Sequence, residues 1–467
     1  NGVLGNLLLD SNNGLAGATI TTAKKLYKSD YNNFGPQLGF AWNPQILGSK
    51  LVIRGGGGMG YDRLPNALLA NARRNPPNGA LFGICCGTAP TEFGTPFVGG
   101  QITFVSSSSG ILGYPANPIL GGGANPATGL PNTGAVEIYG APQDLPTAYV
   151  FRYSLEGQYQ LPKNLVATIG YQGSQGRHFV RILPLQVMTT TNPNISAAYF
   201  ASPDVNTNYN AMTARLQGRL FRQFTFDTNY RFAKSLDTSS FEAPCACTNQ
   251  SYPVDQRQER GPSDFDVRHA FVFAGTWEVP IFRDKRSLAG KLLGGWEISA
   301  ITTSNSGFPW TPKIFGCLNG NTSSSNGFCD PRPTSYNGAQ PANNSNANFL
   351  RPYGIFGVPG TTIFGTSFNT SNPFLNPPAI GRNRFRGPKY FATDMTFAKK
   401  FYVGGLGFFG ENANVDLRFN FFNIFNNLNL TPFNSNTDPT RVQLVQFGTA
   451  TSALSGRVGE VQVRLSF

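Results

Sequence analysis

From Thr147 to Leu161 the chain keeps a two-residue period: Tyr149, Phe151, Tyr153, Leu155, Gly157, Tyr159 and Leu161 share one parity, while Arg152, Ser154, Glu156, Gln158 and Gln160 hold the other. Successive side chains of a strand point to opposite faces, so the segment is one ribbon with an apolar and a hydrophilic side. Strands of globular proteins usually run about five or six residues. A run this much longer suits a tilted membrane crossing with an extension beyond it.

The same test succeeds along most of the chain. Leu165, Ala167, Ile169 and Tyr171 follow the tight Pro162-Lys163-Asn164 connection, which makes a hairpin. Met212, Ala214, Leu216 and Leu220 precede Phe224, Phe226, Tyr230 and Phe232, a second hairpin. Further apolar rows are Val267 to Val279, Trp296 to Ala300, Phe391 to Phe401, Val415 to Phe421 and Val461 to Phe467, with Leu38 to Trp42 and Leu51 to Tyr61 earlier. Eleven strands result. Their connections alternate: short near 43-49, 162-164, 221-223, 281-290 and 402-412, long at 63-146, 175-207, 236-264, 307-389 and 427-456. Placing every long connection at one end is what a transmembrane barrel does with its periplasmic turns and extracellular loops. Long structureless loops are uncommon inside compact domains.

Composition narrows the field further. Only 13% of residues are charged against 13% aromatic, with 39 Phe and 17 Tyr. A disordered chain would be poorer in aromatics, and an ordinary soluble enzyme would carry about twice the charge. No window reaches the roughly 18 unbroken apolar residues of a spanning helix. Uncharged polar residues alternating with aromatics fit a sheet with lipid on one face and water on the other. The expected fold is all-β, an antiparallel transmembrane β-barrel. The chain begins at Asn1 and shows no leader, so an upstream portion is expected to be missing.

If the last strand ends at the periplasmic rim, that rim receives Trp42, Tyr159, Phe224, Trp277, Trp296 and Phe401, an expected aromatic girdle. Tyr61, Tyr149, Tyr171, Phe232, Phe265 and Phe391 fall at the opposite rim. Single-chain bacterial barrels have even strand numbers, so eleven describes a part. Residues 1-36 read as a lead-in from an upstream region or loop, with weak strand signal around Ala18 to Thr22, and 37-467 as the C-terminal part of the barrel.

Several segments resemble Oar-like TonB-dependent outer-membrane receptors: Asn33-Phe-Gly-Pro-Gln-Leu-Gly-Phe-Ala-Trp42, Ile53-Arg-Gly-Gly-Gly-Gly-Met-Gly-Tyr-Asp62, Asn208-Tyr-Asn-Ala211, Phe265-Asp-Val-Arg-His-Ala-Phe271, Gly381-Arg-Asn-Arg-Phe-Arg-Gly-Pro388, Phe421-Phe-Asn-Ile-Phe-Asn-Asn427 and the aromatic C-terminus. The resemblance runs from about residue 33 to the end. It implies the second half of a 22-stranded barrel in the cell outer membrane, whose plug and N-terminal domains have no counterpart here. It also implies uptake of an unidentified solute, energised by a TonB-type complex through the missing N-terminal region. Val461, Val463, Leu465 and Phe467 resemble the aromatic-ended strand that outer-membrane assembly machinery recognises.

Candidate site residues follow from the same frame. Arg215, Arg219, Arg231, Arg418 and Arg464 lie on the hydrophilic parity, expected to face the lumen as solvated wall charges or contacts for a plug or solute. The net charge of +13 is spread along the chain, with Arg382, Arg384 and Arg386 its one tight cluster, so anionic lipid and lipopolysaccharide are expected partners and nucleic acid is not. All six Cys fall in long connections, and a Cys317–Cys329 disulfide is expected to close a loop worth about 3 kcal/mol. Cys85 or Cys86 is left to pair with Cys245 or Cys247. Two His and no Cys-x-x-Cys spacing disfavour a thiolate metal site. His269 reads as a structural or rim histidine, no catalytic motif accompanies it, and no enzyme activity or cofactor is expected. The run Gly55 to Gly58 lacks the Lys-Ser/Thr of a phosphate loop and reads as curvature or close approach within a strand. A plug-free porin-like channel and a secreted β-rich adhesion protein remain as alternatives, the latter requiring the apolar rows to be buried against a second sheet.

Overall fold

The computed structural model describes residues 4–64, 71–76, 125–130, 132, 136–185, 192–240, 251–252, 254–281, 290, 293–314, 331–366, 377–402, 413–433 and 438–466. The chain opens with a hairpin, β1 (Leu4–Asp10) and β2 (Gly14–Ala23), in a two-stranded sheet of its own. Then come β3 (Gln37–Trp42), β4 (Leu51–Asp62), β5 (Val136–Gly140), β6 (Ala148–Leu161), β7 (Leu165–Pro184), β8 (Ile195–Leu220) and β9 (Phe224–Asp237). After β10 (Gly261–Pro262) follow β11 (His269–Glu278), β12 (Trp296–Asn305), β13 (Pro309–Trp310), β14 (Ser335–Tyr336), β15 (Phe364–Gly365) and β16 (Phe385–Arg386). β17 (Tyr390–Tyr402), β18 (Asn414–Phe422) and β19 (Val458–Ser466) close the chain.

Eleven strands, β3, β4, β6, β7, β8, β9, β11, β12, β17, β18 and β19, lie side by side in chain order, each antiparallel to the next. They are the ribbons the alternation predicts. β10 adds to the end of β9, and β5 adds in parallel to the start of β8. The three-residue turns at 162–164 and 221–223 reverse the chain by holding Lys163, Asn164, Phe221 and Arg222 at positive φ. In the glycine run, a Cβ on Gly56 would stand 2.8 Å from the Leu38 carbonyl oxygen, so this strand needs glycine to let β3 approach.

Two expectations need correction. The span 175–207 is not one loose connection: β7 and β8 are 20 and 26 residues long and stay paired out to Pro184 and Tyr199. Their upper halves pack Val180, Ile182, Tyr199 and Ala201 into a buried cluster, so the simple alternation fades there while the ladder continues. The lead-in is also more ordered than its weak signal suggested, because its hairpin packs Leu7, Leu15 and Ala18 against Ile138, Leu185 and Ala198.

Paired residues of a sheet share a face, so the register carries one face across all eleven strands. It runs through Leu38–Gly57, Gly55–Leu155, Leu155–Tyr171, Tyr171–Met212, Met212–Phe232, Phe232–His269, Trp277–Ile298, Ile298–Phe397, Phe397–Phe419 and Phe419–Val461. From the short turns up to Arg177 in β7 and Asn208 in β8, this face holds no Asp or Glu. Its charged residues are Arg177, Lys234 and Lys399. The other face carries Arg54, Arg152, Glu156, Arg215, Asp227, Glu278, Glu297, Asp394, Asp416, Arg418 and Arg464 among others.

The acid-free face does not close on a dry centre. Leu38, Ile169 and Val463 are 83%, 65% and 66% exposed, and Leu155, Met212, Trp277 and Phe391 are exposed too. The buried clusters lie elsewhere. One gathers Trp310, Phe349, Phe364, Phe385, Phe433 and Phe447 from the β12–β17 and β18–β19 connections, and two others join β1, β2 and β5 to the upper parts of β7 and β8. A sheet with a greasy side turned outward thus carries a packed cap at the end of its long connections.

Candidate functional site: the charged face and its cap

On the charged face of the sheet, ion pairs between and within strands neutralise part of the wall. Arg215 meets Asp227 through Nε–Oδ1 at 2.9 Å, Arg54 reaches Glu156 at 3.4 Å, and Arg418 reaches Asp416 at 2.8 Å. Arg464 lies opposite Asp416 in the register, and Arg219 donates to the Arg222 carbonyl at 2.6 Å beside a turn. Arg231 has a buried Nε without a partner. The five predicted arginines therefore share a face but are spread over four strands, β8, β9, β18 and β19, and do not converge on one point. One hollow on this face is a trough of about 1060 Å³ floored by Gly56, Gly58 and Gly60 and walled by Arg152, Gln172, Ser174 and Tyr209; another, of about 810 Å³, is lined by Glu278, Glu297, Lys400, Asp416 and Arg418. Missing side chains on the floor bring backbone within reach of whatever enters.

A second construction closes the cap onto this face. Asp237 ends β9 on the charged parity, and its carboxylate accepts from Arg382, whose Nη2 also donates to the Asp237 carbonyl at 2.9 Å. The same guanidinium reaches the Glu259 carbonyl at 3.0 Å, Ser240 Oγ at 3.0 Å and Asp264 at 3.3 Å. Asn383, held at positive φ, donates to Asp264 at 2.6 Å and to the Pro262 carbonyl at 2.7 Å. Arg386 pairs with Asp266, and buried Arg332 pairs with Glu259 at 2.8 Å. Burial lowers the Arg332 guanidinium from its ordinary value, and the Glu259 carboxylate beside it works in the opposite sense. Two stretches far apart in sequence, 382–386 and 259–266, thus form the halves of a clasp. The sequence marks Arg382 and Arg386 as basic residues of the Gly381–Pro388 segment and gives no sign of their partners. Nothing local in the sequence joins Asp264 and Asp266 to these arginines.

At the turn end, Trp42, Tyr159, Trp277, Trp296 and Phe401 all project from the acid-free face near strand termini. Trp277 lies opposite Phe224 and Ile298, and Lys399 Nζ stands 5.9 Å from the Trp296 ring centroid and 5.1 Å from that of Phe401. Val461, Val463 and Leu465 are exposed on the same face of the edge strand β19. Phe467 lies outside the described residues, as do Cys317, Cys329 and the other four cysteines. Among the described residues no cluster of His, Cys, Asp and Glu suits a metal ion. His269 is on the acid-free face, its Nδ1 2.7 Å from the Tyr230 hydroxyl.

A family model described as an outer membrane beta barrel domain matches residues 2–462. The chain belongs to that family. Membership of it places the chain in the outer membrane. Comparison with curated proteins returned no match. Among solved structures, the chain is similar to the outer membrane transporter YddB from Escherichia coli, at 9% identity and TM-score 0.46 over 92% of this chain and 40% of that one. It is also similar to the siderophore receptor PirA from Acinetobacter baumannii, at 11% identity and TM-score 0.42 over 92% and 40%. The siderophore receptor PiuA from the same organism gives 10% identity and TM-score 0.39 over 98% and 38%. The chain spans about two fifths of the length of these proteins.

Proposed function

We propose that this chain forms the C-terminal wall and extracellular cap of an Oar-like TonB-dependent receptor that takes a solute across the outer membrane. The observation that carries the reading is the division of charge between faces: an acid-free exterior and a charged, glycine-troughed interior belong to a wall that encloses water. The open edges at β3 and β19 are then the places where upstream strands complete the barrel. The clasped cap gives solute a structured surface to meet before the lumen.

The test compares cells with and without the gene, each with and without an uncoupler of the proton-motive force, following depletion of medium components by mass spectrometry. At least one solute should need both the gene and the proton-motive force. Gene-dependent depletion that survives uncoupling would make the protein a plain channel, and depletion independent of the gene would remove the transport reading.

A further inference from the structure

Several polar side chains of the charged face find partners on the wall itself. Arg54 meets Glu156 and, at 3.0 Å, Gln158, while Thr276 meets Ser299 at 3.1 Å and Thr396 meets Asn420 at 2.9 Å. The glycine-floored trough differs. Six hydrogen-bonding side chains that line it, Gln37, Arg152, Ser154, Gln172, Ser174 and Tyr209, make no side-chain hydrogen bond or ion pair among the described residues.

The register sets these groups in two rows. Gln37, Gly58, Arg152, Ser174 and Tyr209 stand side by side on β3, β4, β6, β7 and β8, and two residues nearer the turns run Gly39, Gly56, Ser154, Gln172 and Ala211. At about 4.8 Å per strand each row is about 19 Å long, and the rows lie about 7 Å apart. At the loop end Phe179 lays its ring over Gly176, where a Cβ would stand 2.6 Å from it, so this ring and that of Tyr209 border the polar rows. Asp62, the one acid lining the trough among the described residues, is four residues beyond Gly58, about 13 Å along β4 from the Arg152 row.

Those groups define a ligand. A guanidinium without a counter-ion favours an anionic group, which it can hold by two parallel hydrogen bonds. Glutamine amides and serine and tyrosine hydroxyls both donate and accept, as sugar hydroxyls do. An extended peptide finds less here, because the floor lies inside the sheet, where the ladder already uses the strand amides and carbonyls. Glycine lets a ring lie close against that backbone. We propose that the trough binds an acidic oligosaccharide, with Arg152 on its carboxylate or sulfate, Gln37, Ser154, Gln172 and Ser174 on its hydroxyls, and the Phe179 and Tyr209 rings against its sugar faces. This names the solute class of the transport reading above and rests on it.

Full-length protein in detergent is applied to an array of defined acidic and neutral oligosaccharides, and the strongest acidic binder is then titrated by calorimetry beside the same sugar with its carboxylates methyl-esterified or its sulfates removed. Wild type should bind the acidic sugar at least tenfold more tightly than its neutralised form. R152Q should bind the two forms alike, a loss of preference that a merely structural role would not produce. A Cβ on Gly60 meets nothing within 4 Å, so G60L puts a side chain into the open trough and should weaken both forms at least tenfold. The proposal is overturned by an array without an acidic binder, by equal binding of the neutralised sugar to wild type, or by an acid preference that persists in R152Q with wild-type heat-modifiable migration. The lumen assignment is read separately, from a nitroxide at S154C in bilayers: a label closed to a water-soluble nickel chelate would sink that assignment, whereas an open label with an empty array sinks the ligand alone.

Discussion

Asparagine and arginine do at single positions what a backbone ladder does along a strand. Asn6, 1% exposed, donates to the Leu26 and Ala141 carbonyls and accepts from the Ala141 amide, and Asn75, fully buried, does the same for Gly5 and Tyr139. These side chains satisfy buried backbone groups where no strand is available. Arg382 does so with a charge attached. Replacing it in R382M leaves Asp237 buried without its counter-ion, and breaking a buried pair on one side typically destabilises by about 3–5 kcal/mol. The loss belongs to the cap: amide exchange in 254–268 and 377–389 should speed by at least a hundredfold, while heat-modifiable migration of the barrel stays as in wild type. Unchanged exchange would show that the clasp holds nothing. None of this was legible beforehand, because its partners are more than a hundred residues apart and leave no local period.

Strands, by contrast, were readable one at a time. A membrane-facing ribbon must keep its parity for the whole crossing, so Tyr149 to Leu161 and Phe224 to Phe232 announced themselves, and all eleven main-sheet strands sit where alternation places them. Where strands leave the membrane that constraint lapses. The upper parts of β7 and β8, the β1–β2 hairpin and the parallel β5 were missed for that reason. The face rule makes a prediction at neighbouring positions of β7. I169R puts a cation on the lipid face near mid-crossing and should lower folding stability in bilayers by about 2–4 kcal/mol, whereas T168R, one residue away on the lumen face, should change it by less than about 1 kcal/mol. Urea titrations of the refolded protein decide it, and equal penalties would contradict the face assignment. Deleting Phe467, the end of the β19 row formed by Val461, Val463 and Leu465, should reduce insertion of the full-length protein into the outer membrane, and unchanged heat-modifiable migration would argue against an assembly role.

At the scale of the molecule, the eleven strands make a wall with two open edges, and the residues that would be a core in a soluble protein have moved into the cap. Trp310, Phe349, Phe364 and Phe447 are buried there, while Leu38, Ile169 and Val463 remain exposed on the sheet. That inversion is the physical signature of a protein whose solvent is lipid on one side. The most direct measurement is a nitroxide scan of residues 166–171 in β7, in full-length protein with its native cysteines replaced by serine and reconstituted in bilayers. Oxygen accessibility should peak at Ala167, Ile169 and Tyr171, and accessibility to a water-soluble nickel chelate at Val166, Thr168 and Gly170. Labels at Ala167, Ile169 and Tyr171 shielded from both reagents, as in a protein interior, would contradict the account.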